Sequence, residues 1–153
     1  MAENAKVKNA KKVSYDGLEF RSGLEVFIYK TLKSEGIEFL YEGITYEIIP
    51  SLEFNSMIGY WPNATGKDTK TLKLRYKSQK KTYTPDFTFD WMNKKYFVVI
   101  EAKGWADNDY PTKKKLFSKL IEDGLVSSSI VIFMEPHTQR HVKECIEFIK
   151  NLE

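Results

Sequence analysis

The stretch 83-YTPDF-87, an apolar interval, and then 98-VVIEAKG-104 decides how this chain is read. Phe97 to Ile100 is continuous, apolar and mostly β-branched, the pattern of a strand buried on both faces. Such a strand should not close on an acid and an amine without a use for them, because unpaired buried charge is costly. Residues two apart on a strand share a face, which puts Glu101 and Lys103 together. A Mg²⁺ site needs one or two carboxylates on a rigid frame, with water and phosphate oxygens completing the shell. Asp86, Glu101 and Lys103 therefore have the constitution of a metal-dependent phosphodiesterase site. The plainer alternative is a surface salt bridge at a strand end, because D…E-x-K is a short pattern that recurs by chance.

Outward from this stretch, 153 residues suffice for one domain with its own core. A hydrophobic content of 42% and a charged content of 29% are those of an ordinary globular protein. A net charge of +3 is too small to define a polyanionic partner, so the distribution of charge matters more. Cys145 is the single cysteine, which excludes an intrachain disulfide and fits a reducing compartment. No apolar run approaches a membrane span and no signal-peptide core opens the chain, so a cytoplasmic protein without a membrane partner is expected.

Residues 1–14 are expected to form a mobile basic arm containing Lys6, Lys8, Lys11 and Lys12. A first helix follows Phe20-Arg21, with Ser22 as N-cap, Leu24, Phe27, Ile28 and Leu32 as its apolar face and Gly36 as its stop. Glu25 matches the acid of a capping box. It can equally border the apolar face and project towards the metal site, and periodicity leaves both open. Residues 37–49 read as one strand with Tyr41 and Glu42 near its middle, closed by Pro50.

Residues 51–81 read as a basic insertion, loop-like in its first half around Gly59, Trp61-Pro62-Asn63 and Gly66. In its second half Leu72, Leu74 and Tyr76 alternate with Lys73, Arg75 and Lys77, and residues 67–81 hold seven Lys or Arg against one acid, Asp68. The basic face is a candidate nucleic-acid contact, or the solvated, lysine-protected outside of an edge strand. Residues 83–89 and 96–102 are expected strands. A helix begins at Pro111, with Leu116, Phe117, Leu120 and Ile121 facing inward and Gly124 ending it. Lys113, Lys114 and Lys115 oppose the dipole of its first turn, consistent with an anionic ligand nearby. Residues 129–134 read as a buried strand, and Val142, Cys145, Ile146 and Ile149 as the stripe of a closing helix. His137 and His141 have a spacing that can bind metal on a helix, but with no third partner they are expected to be surface or capping residues.

This order implies an α/β fold, a central mixed β-sheet flanked by helices with a strand–helix–strand crossover near its end. With these residues laid out, the chain resembles the phage endonuclease I family of junction-resolving enzymes, within the PD-(D/E)XK nuclease superfamily. The resemblance rests on FRSGLE at 20–25, GIEFLYE at 36–42, YTPDF at 83–87 and EAKGW at 101–105, with the lysine-rich helix and strand that follow. It implies a restriction-endonuclease-like core in one nuclease domain and Mg²⁺ or Mn²⁺, one or two ions per site. By the family pattern Asp86 and Glu101 bind metal, Ala102 offers its backbone carbonyl, Lys103 positions the nucleophilic water, and Glu25 completes a second metal position. Arg21, Lys73, Arg75, Lys77, Lys113 and Lys114 would contact DNA. Glu42 has an uncertain role, because Leu40 stands where the family tends to carry an acid.

The 51–81 segment is longer than the family's connection, and the chain lacks the family's basic tail after Glu153. The resemblance supports cleavage chemistry more directly than junction specificity. It implies a branched-DNA substrate and a homodimer, and a host-cell cytoplasmic location if the protein is phage-encoded. A nuclease for ordinary duplex or single-stranded DNA, and a non-catalytic DNA-binding module on the same fold, are the alternatives.

Overall fold

The computed structural model describes residues 11–62, 65, 71–103 and 108–153. Lys6 and Lys8, residues 63, 64 and 66–70 of the basic segment, and Gly104 and Trp105 lie outside the described residues. In chain order the elements are β1 (Val13–Tyr15), β2 (Leu18–Phe20), α1 (Gly23–Ser34), β3 (Leu40–Tyr41), β4 (Tyr46–Ile49), β5 (Leu52–Tyr60) and β6 (Lys73–Ser78). Then follow β7 (Lys81–Tyr83), β8 (Phe87–Trp91), β9 (Tyr96–Ile100), α2 (Tyr110–Glu122), β10 (Ile130–Met134) and α3 (Gln139–Lys150). The protein is mixed α/β.

The main sheet has the order β10-β9-β8-β3, with β10 parallel to β9 and the other pairs antiparallel. The β9–α2–β10 crossover produces that parallel pair, as the order of elements predicts. Because side chains alternate on a strand, β9 feeds both faces of the sheet. Val98 and Ile100 join Phe20, Ile28, Leu32, Phe87 and the α3 residues Val142, Ile146 and Ile149 in one core. Phe97 and Val99 join Ile48, Tyr83, Tyr110 and Phe117 in a second. Burial on both faces explains why β9 is apolar without alternation. β10 is half-buried instead of buried, because it is an edge strand.

Helix α1 starts where its sequence says it should. Ser22 Oγ accepts the Glu25 N–H at 3.2 Å, and Gly36, at φ 68°, turns the chain away after the C-cap. Thr138 caps α3 in the same way, accepting the His141 N–H at 3.2 Å. The His137 N–H donates to His141 Nδ1 at 3.2 Å, so these exposed histidines shape a helix entry.

Four expectations need correction. Residues 13 and 14 of the expected mobile arm belong to the β1–β2 hairpin, turned by Asp16 and Gly17, both at positive φ. This is a D-G turn signal that was legible in the sequence. The loop expected after residue 51 is largely strand β5, paired antiparallel with β6. The strand expected over residues 37–49 is two strands, β3 in the main sheet and β4 paired with β7. The strand expected over residues 83–89 is likewise divided between β7 and β8.

The last two breaks are one event. Both chains leave the main sheet at the same level, where Glu42 takes φ 47° and its N–H donates to the Asp86 carbonyl at 2.8 Å. A Cβ at Gly43 would meet Leu40 Cβ at 2.6 Å, so the bend itself requires glycine. The fork directs β4 and β7 towards α2, and a cleft lies beside it, lined from the β3–β4 link, β7, the residues after β9 and the first turn of α2.

Phe117 is fully buried at the centre of the second core, with ring centroids 4.8 Å from Tyr83, 5.2 Å from Tyr46 and 5.3 Å from Phe133. Phe117→Ala should lower the urea-unfolding free energy by about 3–5 kcal/mol. Leu74→Ala, on the exposed β6, should change it by no more than about 0.5 kcal/mol.

Candidate functional site: a carboxylate cluster at the fork

Among the described residues three carboxylates are buried, and all three lie at the fork: Glu25, Asp86 and Glu101, at 5%, 3% and 7% exposure. Each arrives from a different element. Glu25 stands in the first turn of α1, Asp86 in the T-P-D link between β7 and β8, and Glu101 one residue beyond β9. The end of β9 is held by backbone bonds, from the Glu101 N–H to the Met134 carbonyl and from the Lys103 N–H to the Pro136 carbonyl, both 2.9 Å. That pinning keeps residues 101–103 extended, so the expected sharing of a face is realised: Lys103 Nζ lies 3.0 Å from Glu101 Oε1.

Asp86 is the centre of the cluster. Its Oδ2 accepts the Ala102 N–H at 2.8 Å, its Oδ1 faces Arg21 Nη2 at 3.2 Å, and its own N–H donates to Glu101 Oε2 at 3.3 Å. Ala102 thus meets the carboxylate through its N–H, while its carbonyl was the group expected to act. Burial, then the neighbouring charges of Glu101 and Glu25, push the Asp86 carboxyl up to about 8, against the Ala102 N–H and the Arg21 guanidinium, which pull it down.

Glu25 does both things its sequence allowed. It accepts the Arg21 N–H at 3.1 Å and the Ser22 hydroxyl at 3.1 Å, which is capping work displaced one residue from the standard box. It also accepts the Tyr41 hydroxyl at 2.8 Å, and its charge acts on Asp86. Arg21, expected to meet DNA, bridges Asp86 and Glu42 with its guanidinium. Glu42 thereby acquires the plain role of an arginine partner.

Three tyrosines at the site were not among the expected site residues. Tyr83 donates to Glu101 Oε2 at 2.7 Å, Tyr41 to Glu25, and the Tyr110 ring lies beneath Lys103, with Nζ 3.2 Å from its centroid. Burial raises the pKa of all three phenols, so each stays protonated and neutral at ordinary pH. Only the position of Tyr83, three residues before Asp86, hinted at such a role.

The cleft beside the cluster encloses about 530 Å³, and its lining is polar: Thr45, Thr82 and Thr84 with the charged Arg21, Glu42, Glu101, Lys103 and Lys113. Of the helix lysines, Lys113 reaches this cleft while lying 3.5 Å from Asp109, and Lys114 is paired with Glu135. Lys73, Arg75 and Lys77 are not in the cleft; they lie on β6.

Four acids, Glu25, Glu42, Asp86 and Glu101, face two cations, Arg21 and Lys103, at this site. That imbalance, together with the raised Asp86, suits a hard divalent cation. Among the described residues no three His, Cys, Asp or Glu groups are close enough to form a protein cage. The fit is therefore to an ion held by one or two carboxylates, with the remaining positions left to water and substrate.

An α/β fold with an acidic cluster buried where its strands fork is the class that this structure defines. The family model described as "Protein of unknown function (DUF1064)" matches residues 5–130, and the chain belongs to that family. No curated protein and no solved structure matches it. No described helix is long and apolar enough to cross a membrane.

A native Asp86 raised above its unfolded value takes up a proton on folding. Its contribution to stability is complete below the ordinary carboxylate range and is lost as pH rises towards and through about 8. Each unit of displacement is worth about 1.4 kcal/mol. Asp86→Asn should accordingly flatten the fall in unfolding free energy between pH 5 and pH 9, measured by urea titration without divalent ions. A variant that keeps the wild-type slope would remove Asp86 from the cause.

Proposed function

We propose that this protein is a metal-dependent DNA endonuclease with a restriction-endonuclease-like core of the PD-(D/E)XK type, acting on branched DNA as junction-resolving enzymes do. The observation that carries the reading is the meeting of Asp86, Glu101 and Lys103, drawn from the ends of two adjacent strands, in a carboxylate-rich cluster beside a partly enclosed cleft. Asp86 and Glu101 would hold a divalent ion, Mg²⁺ or Mn²⁺. A second position would draw on Glu25, already bonded to Tyr41 and to the α1 entry. When bound, the ion supplies Lewis-acid stabilisation of the phosphoryl oxygens.

The protein's own groups do the rest. In hydrolysis a water oxygen forms a new bond to phosphorus, the P–O bond opposite it breaks, the water loses a proton and the leaving oxygen gains one. Lys103, held between Glu101 and the Tyr110 ring, places a fixed positive charge where the phosphoryl oxygens become more negative. Tyr83 and the backbone bonds of residues 101 and 103 keep that geometry in place before substrate arrives. Arg21 and Lys113, at the cleft, are placed to take phosphate oxygens. The branched substrate and the paired sites of a homodimer rest on the likeness to the phage endonuclease I family.

A second reading has one observation in its favour. The Arg21 guanidinium already seats a cation on Asp86 and Glu42, an arrangement that suits a DNA-binding module without chemistry.

The test uses a four-way junction and a matched linear duplex, each with Mg²⁺ or with EDTA, for the wild type and Lys103→Ala. Metal-dependent cutting of the junction alone, reduced at least about a hundredfold in the variant, is expected. Equal cutting of both substrates would discard branch specificity and keep the nuclease. Binding without cutting across several metals would establish the module instead. Independently of activity, Mg²⁺ or Mn²⁺ should raise the melting temperature of the wild type in a dose-dependent way, and not that of Asp86→Asn.

A further inference from the structure

We infer that the β5–β6 ribbon is an arm that grips a nucleic-acid duplex away from the carboxylate cleft, so that the substrate must extend well beyond the scissile position. This rests on the nuclease reading for its choice of ligand, though the arm's geometry is independent of the chemistry.

The arm is continuous with the site. β4 and β7 pair beside the cleft, and beyond Pro50 and Gln79 the same two chain segments resume as β5 and β6, again antiparallel. Its root is Tyr83, the residue that donates to Glu101. From Tyr83 out to Lys73 the chain advances ten residues, about 33 Å at 3.3 Å per residue. One turn of B-DNA is about 34 Å. β5 and β6 make their extensive contacts only with one another. A lone two-stranded ribbon is marginally stable in water and gains most from a partner, and the major groove is wide enough to admit one.

The register separates the ribbon into two unlike faces. Lys77, Arg75 and Lys73 pair with Glu53, Ile58 and Tyr60, and they share one face because residues opposite each other in a ladder point the same way. Arg75 is held over the Tyr60 ring at 4.6 Å, which leaves its guanidinium ordered before any ligand arrives. The other face carries Leu74 and Tyr76, 44% and 55% exposed, opposite Gly59, and has no ionised side chain. A polyanion is matched by the first face alone.

The distribution of ion pairs points the same way. Lys33, Lys81, Lys103, Lys113, Lys114, Lys119, Arg140 and Lys150 all have a carboxylate within 4.0 Å. Among the described residues Lys73, Arg75 and Lys77 have none. Lys30, Lys94, Lys115 and Lys143 are likewise without such a partner among the described residues, but the three on β6 alternate along one face of a ribbon whose extensive contacts are internal. Unneutralised cations in line can neutralise successive phosphates and displace their condensed counterions into solution.

The decisive measurement is fluorescence anisotropy with a duplex of about 30 base pairs and one of about 8, shorter than a helical turn. The proteins are the full-length wild type, Arg75→Glu/Lys77→Glu and Leu74→Ser/Tyr76→Ser. The charge-reversed variant should bind the long duplex about tenfold or more weakly, with a salt slope smaller by about two, and should lose much less on the short one. Equal loss on both lengths, or none, overturns the arm. Should Leu74→Ser/Tyr76→Ser alone weaken binding while halving the mass in solution, the ribbon joins two copies of the chain and the inference falls. Should the charge-reversed variant lose affinity for acidic peptide but not for DNA, the partner is a protein. A length-dependent loss in a protein that cuts nothing keeps the arm and removes the nuclease. Cutting that ignores the arm's charges keeps the nuclease and removes the arm.

Discussion

A carboxylate that is almost wholly buried beside two others is the constraint on which this structure turns. Burial and the neighbouring acids oppose the ionisation of Asp86, and two groups favour it: one backbone N–H from Ala102 and one guanidinium from Arg21. Three elements must be placed correctly for that balance to exist. α1 must begin at Ser22 so that Arg21 and Glu25 fall on the same side, β9 must end at Ile100 so that Ala102 faces inward, and the β7–β8 link must turn at Pro85. Charge crowding of this kind opposes folding. The remainder of the protein has to be stable enough to hold it, and two aromatic-rich cores, one on each face of β9, supply that stability.

The fork is the architectural answer. Had the segments from Ile37 and from Tyr83 run on as single strands, β3–β4 and β7–β8 would have formed one flat extension of the sheet, with Asp86 pointing into packed side chains. Both break at Glu42 and Asp86, bound to each other through the backbone, and the break turns a sheet edge into a cleft. The second core then reaches the site from beneath. Tyr83 and Tyr110 belong to it by their rings and to the carboxylate and lysine by their polar ends or faces. An aromatic ring whose one end is apolar and whose other can donate is suited to that boundary.

Charge is partitioned as sharply as hydrophobicity. In the body most cations are spent on carboxylates at short range, which leaves little field at long range. The β6 row escapes this neutralisation because β5 opposite it offers only Glu53 as an acid and because the ribbon's extensive contacts are internal. A net charge of +3 gives no hint of this, since it sums paired and unpaired groups alike.

Local chemistry was legible along the chain wherever one segment could decide for itself. The caps of α1, the stops at Gly36 and Gly124, the buried run of β9 and the coming together of Glu101 and Lys103 follow from neighbours within a few residues. So did the crossover through α2, since a strand, a helix and a strand close in only one hand. What tertiary structure alone decided depends on partners far apart in sequence. Arg21 meets Asp86 across 65 residues, Tyr83 meets Glu101 across 18, and β5 is a strand because β6 lies beside it. A periodicity of two tells which residues share a face. It carries no information on where a paired ribbon leaves its sheet, because that is settled by whether the next pair of side chains finds more burial on α2 or on β8.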